Sequence, residues 1–142
     1  MFMKMLRSIL LVIILSIVSK CGNEENKFDE NKLQISIKEV FSICENKYML
    51  LFYKRNCLAS QNVIKTVEND YGKNKFSIYL VECNDNEVIF SNFYFTNIGV
   101  KNYLDISIDR VPTMFIVKEK VICFEMIGYK DIKDNYLVFY FM

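Results

Sequence analysis

The 142-residue sequence contains no histidine and only one proline, and no two of its cysteines are spaced as Cys-x-x-Cys. Without histidine there is no Ser-His or Cys-His catalytic pair and no His-ligated zinc or iron site. Nucleophilic chemistry must then rest on cysteine, lysine, a carboxylate or tyrosine. The missing Cys-x-x-Cys spacing leaves a zinc ribbon without support, and no metal or other cofactor is expected. Neither sign of charge is in excess. The 18 basic and 17 acidic residues give a net charge of +1, which offers no general field for nucleic acid or membrane lipid. There is no low-complexity tract and no internal repeat. What is present is 52% hydrophobic and 15% aromatic, enough for one packed domain with a short N-terminal appendage.

The N-terminus reads as an address. Lys4 and Arg7 precede a mostly aliphatic run from Ser8 to Ser19, followed by Lys20, Cys21 and a polar stretch. A basic region followed by about a dozen apolar residues has the anatomy of an export signal, and it falls short of the roughly 20 residues of a membrane span. Cys21 stands where a bacterial lipoprotein carries its lipidated cysteine. Val18-Ser19-Lys20-Cys21 resembles a degraded lipobox, with Lys20 where a small residue is usual. A signal-anchor with an incidental cysteine, or a plain cleaved signal, are the alternatives. All three place the following domain outside the cytoplasm, in the bacterial envelope or periplasm, where disulfide chemistry operates. The division expected is residues 1–20 as signal or anchor, 21–30 as polar tether and 31–142 as the folded domain.

Within that domain, Leu33, Ile37, Val40, Phe41 and Cys44 recur at helical spacing, with Asp29 or Asn31 as caps. Tyr48 to Tyr53 is a near-continuous apolar run of strand length, as in a strand covered on both faces. Ser60, Ile64, Val67 and Tyr71 share a helical face that Gly72 ends. Phe76 to Val81 reads as a second buried strand. Glu87 to Phe95 and Lys101 to Ile106 each suit a helix, broken at Asn97-Ile98-Gly99. Thr113 to Lys118 and Val121 to Ile127 predict a hairpin with a tight charged turn, and Asp131 a cap for a last helix carrying Ile132, Tyr136 and Phe139. The order α-β-α-β-α-β-β-α implies an α/β fold, a mixed central sheet with helices on both faces and a terminal β-hairpin.

Two landmarks stand on this framework. Cys57-Leu58-Ala59-Ser60 lies at the turn from the first strand into a helix, and Val111-Pro112-Thr113 precedes the hairpin. Together with the element order, they resemble the thioredoxin superfamily, most closely its exported thioredoxin-related members, over residues 30 to 142. The resemblance implies that Cys57 is the nucleophile, that Ser60 occupies the place of the resolving cysteine, and that Pro112 is cis and faces the thiol. It further implies that Val111, Pro112 and Tyr53 contact substrate. Gly128 matches the glycine near the end of the last strand, and Tyr129 the tyrosine that follows it in the exported group. Asn56 replaces the usual tryptophan before the nucleophile, Leu51 stands where a buried acid is usual, and the stretch 84–109 is an extended insert.

A cysteine at a helix N-terminus meets unsatisfied N–H groups and a partial positive charge, which lower its pKa. Lys54 and Arg55 would add positive potential, and Ser60 a hydrogen bond to the sulfur. Serine does not resolve a mixed disulfide. Release then needs glutathione, a second substrate cysteine, or a thiol of this chain, for which Cys83 at the end of the neighbouring strand is the candidate. The alternative for Cys83 is a core residue, and Cys44 and Cys123 are expected to pack in the core.

The function expected is thiol-disulfide exchange with exported proteins bearing cysteines, or with a redox partner protein, by a single-cysteine enzyme held at the membrane through its N-terminus. A redox-silent binding module, using the Pro112 loop and the aromatics Phe90, Phe93, Tyr94 and Phe95, is the competing class. A glutathione-dependent single-thiol enzyme is the third.

Overall fold

A computed structural model describes residues 27–73, 76–83 and 96–136. The expected signal segment 1–20, Cys21, the helix expected at Glu87 to Phe95 with its aromatics, and Phe139 lie outside the described residues.

Four strands form one sheet in the order β2-β1-β3-β4, with β1 at Lys47–Tyr53, β2 at Ser77–Glu82, β3 at Thr113–Lys118 and β4 at Val121–Ile127. β1 runs parallel to β2 and antiparallel to β3, and β3 pairs antiparallel with β4. The parallel β1–β2 pair needs a crossover, and α2 at Leu58–Asp70 supplies it. The two residues of the β3–β4 turn, Glu119 and Lys120, both have positive φ, as a tight hairpin turn matching the strand twist requires.

Strand alternation sorts the core into two layers. Met49, Leu51 and Tyr53 of β1 pack with Met114, Ile116 and Met126 against Val63 and Val67 of α2 and Ile132 and Tyr136 of α3, the helix Gly128–Tyr136. Tyr48, Leu50 and Phe52 face the other way, with Phe115 and Val117, under Ile37, Val40, Ile106 and Ile108. Six consecutive β1 residues, Tyr48 to Tyr53, are thus buried, which explains the unbroken apolar run. Each large side chain so buried contributes about 1.5–3 kcal/mol.

Three local expectations are corrected. The helix expected from Leu33 to Cys44 is instead α1, only Glu30–Leu33, and a separate 3-10 turn at Ile37–Glu39. The break is a sheet contact: the Ile35 N–H donates to the Leu80 carbonyl at 2.9 Å, and Ser36 and Glu39 then form a reciprocal capping box that starts the next turn. Lys101 to Ile106 contains only a 3-10 turn at Tyr103–Asp105, capped by Asn102. Asp131 lies inside the first turn of α3, where its carboxylate accepts from the Ile127 N–H at 2.9 Å. Gly128, at φ +85°, makes the corner from β4 into that helix.

Candidate thiol site

β1 ends at Tyr53, and Lys54 to Asn56 turn the chain into α2. Cys57 is the N-cap, in extended conformation, with its N–H donating to the Lys54 carbonyl at 3.1 Å. Its carbonyl accepts the first helical bond, from the Gln61 N–H at 3.0 Å. No side chain caps this helix, and the Ala59 and Ser60 N–H groups of its first turn interact with the Cys57 sulfur. Ser60, fully buried one turn on, accepts from the Lys54 N–H at 3.3 Å and so clasps the turn to the helix.

The Cys57 thiol is held below its ordinary pKa. The largest cause is the hydrogen bond from the Ser60 side chain, and partial burial opposes it. The Ser60 and Ala59 N–H groups and the Lys54 charge add to the lowering. Arg55, expected to contribute positive potential there, instead turns to Glu82, Gln34 and Glu30.

The Val111–Pro112 bond is cis, as expected, and brings its loop to the same end of the sheet. Cys57 Sγ lies 3.9 Å from the Val111 carbonyl oxygen. Pro112 is buried, Val111 is half-buried, and the Pro112 carbonyl accepts from the Gly128 N–H at 2.8 Å. Cys57 keeps partial exposure beside Leu58, a residue 72% exposed. Cys57, Ser60, Val111 and Pro112 are thus brought together at one end of the sheet, as the resemblance implied.

Other expected site residues fall elsewhere. Tyr53 is fully buried and its hydroxyl donates to Glu30 Oε1 at 2.9 Å, so it is a core residue rather than a substrate contact. Cys83 is 2% exposed among Phe52, Val81 and Ile108, and burial pushes its thiol up to about 12. The buried thiol is kept protonated and out of reach, so a resolving role is disfavoured in this state. Cys44 and Cys123, expected in the core, are both exposed. Cys123 sits on the outer strand of the sheet beside the register shift between Ile116 and Val117. Leu51 is buried in the helix-facing layer, so no acid takes its place there.

Two features near the site were missed by the sequence reading. Asn97, 2% exposed, donates from Nδ2 to the Ser107 carbonyl at 2.8 Å and to Glu125 Oε1 at 2.7 Å, and it accepts from the Ser107 N–H at 2.9 Å. This clasp fastens the insert to β4 shortly before Val111. Arg55 forms the second, a network taken up below. Only the position of Arg55 two residues before Cys57 marked it out. Among the described residues there is no cluster of potential metal ligands, and no helix is long and apolar enough to cross a membrane.

No family model matches this chain, and no curated protein matches it. Among solved structures it is similar to thioredoxin f from spinach chloroplast, in its long form. The two share 19% sequence identity with a TM-score of 0.53, over 74% of this chain and 79% of that one. Sheet order, crossover helix and terminal hairpin agree with that likeness: the chain has a thioredoxin-like α/β fold.

Proposed function

We propose that this chain is an envelope-anchored thioredoxin-like protein that carries out thiol-disulfide exchange through one nucleophile, Cys57. The observation that carries the reading is a partly exposed sulfur at the opening of a 13-residue helix, beside Val111, with its pKa held down by Ser60 and the helix N–H groups. The Cys57 thiolate attacks a substrate disulfide. The new Cys57–sulfur bond forms as the substrate bond breaks, and the departing sulfur leaves as a thiolate that takes a proton from solvent. Ser60 has no sulfur with which to undo the product. A second substrate thiol, or a small thiol such as glutathione, attacks the mixed disulfide and returns Cys57 as thiolate. One disulfide is consumed and one is formed over the two steps: the departing substrate sulfur is reduced to a thiol, and the sulfur of the attacking thiol is oxidised into the new disulfide.

Partners on this reading are exported proteins with cysteines or a redox partner protein, met at the membrane through the N-terminal segment and a lipid on Cys21. The test is capture of mixed disulfides from an envelope extract. Wild-type protein should hold them through Cys57, and Cys57→Ser should lose them. Equal capture by both proteins would overturn the reading.

Burial of Cys83 and serine at position 60 favour a second reading, a binding module without redox turnover. It separates cleanly, because a module keeps its partner when Cys57 is replaced by serine.

A further inference from the structure

Arg55, two residues before the nucleophile, is held from several sides. Its Nε donates to Glu82 Oε2 at 3.1 Å, and its Nη2 donates to Gln34 Oε1 at 3.2 Å and lies 3.8 Å from Glu30 Oε1. Gln34 Nε2 in turn donates to the same Glu82 oxygen at 3.2 Å, and the buried Tyr53 hydroxyl holds Glu30. On the main chain, the Arg55 carbonyl accepts from Gln61 Nε2 at 2.8 Å. One residue therefore joins α1 and its following bridge, the end of β2 and the first turns of α2.

At 58% exposure, ion pairs of this side chain contribute little to global stability. A guanidinium engaging two acceptors through separate nitrogens instead fixes direction, which a flexible ammonium does not. The direction it fixes is that of the turn Lys54 to Cys57. The same turn sets the Ser60 hydroxyl and the first helical N–H groups against the sulfur.

We infer that Arg55, clamped by Glu82 and Gln34, is a positioning residue that holds the Cys57 turn in the geometry that stabilises the thiolate. The inference rests on reading Cys57 as an activated nucleophile. A role through charge alone gives the opposite sign for one variant. If Arg55 acted by its field, removing the Glu82 carboxylate would unmask that field and make Cys57 more acidic. If Arg55 acts by holding the turn, removing Glu82 loosens the turn and makes Cys57 less acidic.

The experiment uses the full chain and reads iodoacetamide labelling of the Cys57 peptide by mass spectrometry across pH. Proteins compared are wild type, Arg55→Ala, Arg55→Lys, Glu82→Ala and Gln34→Ala, with circular dichroism confirming the fold of each. Arg55→Ala and Glu82→Ala should both shift the labelling midpoint upward by about half a pH unit, slowing reaction at neutral pH about threefold. Gln34→Ala should shift it less in the same direction, and Arg55→Lys should fail to restore it. A downward shift in Glu82→Ala, or unchanged midpoints in both alanine variants beside a low wild-type midpoint, overturns the positioning role and leaves the activated thiol standing. A wild-type midpoint of about 8.5 or higher, in the range of an unperturbed thiol, instead overturns the activated thiol, and the inference with it. Should Arg55→Ala not fold, Glu82→Ala and Gln34→Ala decide the matter by the same signs.

Discussion

Cys57 Sγ and the carbonyl oxygen of Val111 lie 3.9 Å apart, although 54 positions separate the two residues in the chain. The contact joins the turn after β1 to the loop before β3, adjacent antiparallel strands whose ends meet where Phe52 pairs with Thr113. The site is therefore a product of sheet register, and its chemistry is set by the few groups that converge there.

Ser60 is the most informative of these groups. Its hydroxyl lowers the Cys57 pKa by stabilising the anion, so Ser60→Ala should raise that pKa and slow Cys57 alkylation at neutral pH. The variant also removes a buried acceptor from the Lys54 N–H, costing about 1 kcal/mol of stability. Labelling rates across pH and urea unfolding check the two effects separately. Unchanged labelling would remove Ser60 from the site.

The four described cysteines should label in distinct ways. Cys44 and Cys123 react in the native state as exposed thiols, Cys57 reacts at a pH below the ordinary thiol range, and Cys83 reacts only when the protein opens. Peptide mapping after a timed alkylation pulse, with and without urea, checks this. Fast native labelling of Cys83 would restore it as a resolving thiol.

Stability should fall on the alkaline side. Tyr48, Tyr79 and Cys83 are each pushed up to about 12, chiefly by burial, from ordinary values of 10.0 for the tyrosines and 9.0 for the thiol. The native state keeps protons that the unfolded chain has released, so the contribution is complete below pH 9 and is lost as pH rises toward 12. The urea midpoint should hold level from pH 7 to about 9 and then decline. Tyr79→Phe should make the decline shallower. A midpoint unaltered at pH 11 would contradict the assignment.

Asn97 anchors the insert that leads to Val111. Asn97→Ala removes the side chain that bonds both the N–H and the carbonyl of Ser107, and takes the Nδ2 donor from Glu125, which keeps the backbone N–H of residue 97, at a cost of about 1–3 kcal/mol. Urea unfolding measures the loss, and Cys57 labelling then shows whether the thiol environment changes with it. A loss within error would mean that the clasp is replaced by water.

Cys21 should carry a lipid on the reading of the first twenty residues as a lipoprotein signal. A metabolic fatty-acid label should enter the wild-type chain and disappear in Cys21→Ser. Persistence of the label in the variant would dispose of the lipid anchor.

Much of the fold could be read directly because local pattern and tertiary environment agree. Thr113–Lys118 and Val121–Ile127 are strands at the bounds expected, since β-branched and aromatic residues flank a two-residue charged turn. The first helix misled because Leu33, Ile37 and Val40 have helical spacing, yet Ile35 makes a sheet bond to Leu80 that no spacing reveals. The Ser36-x-x-Glu39 spacing of a capping box is the sequence signal that the helical reading passed over. Cys44 and Cys123 misled in another way, because cysteine is commonly buried while exposure depends on which strand ends the sheet.

What the chain alone determined is the chemistry on offer: without histidine or a Cys-x-x-Cys pair, the cysteine at the strand-to-helix turn offers one thiol with no second cysteine in its motif. Residue type and short-range geometry suffice for that, because a helix N-terminus carries its free N–H groups wherever it forms. Only the folded arrangement decided that Val111 borders this sulfur, that Cys83 is sealed and that Arg55 binds Glu82 and Gln34. These facts depend on the register between strands distant in sequence, and register is chosen by the packing of whole faces rather than by any local motif.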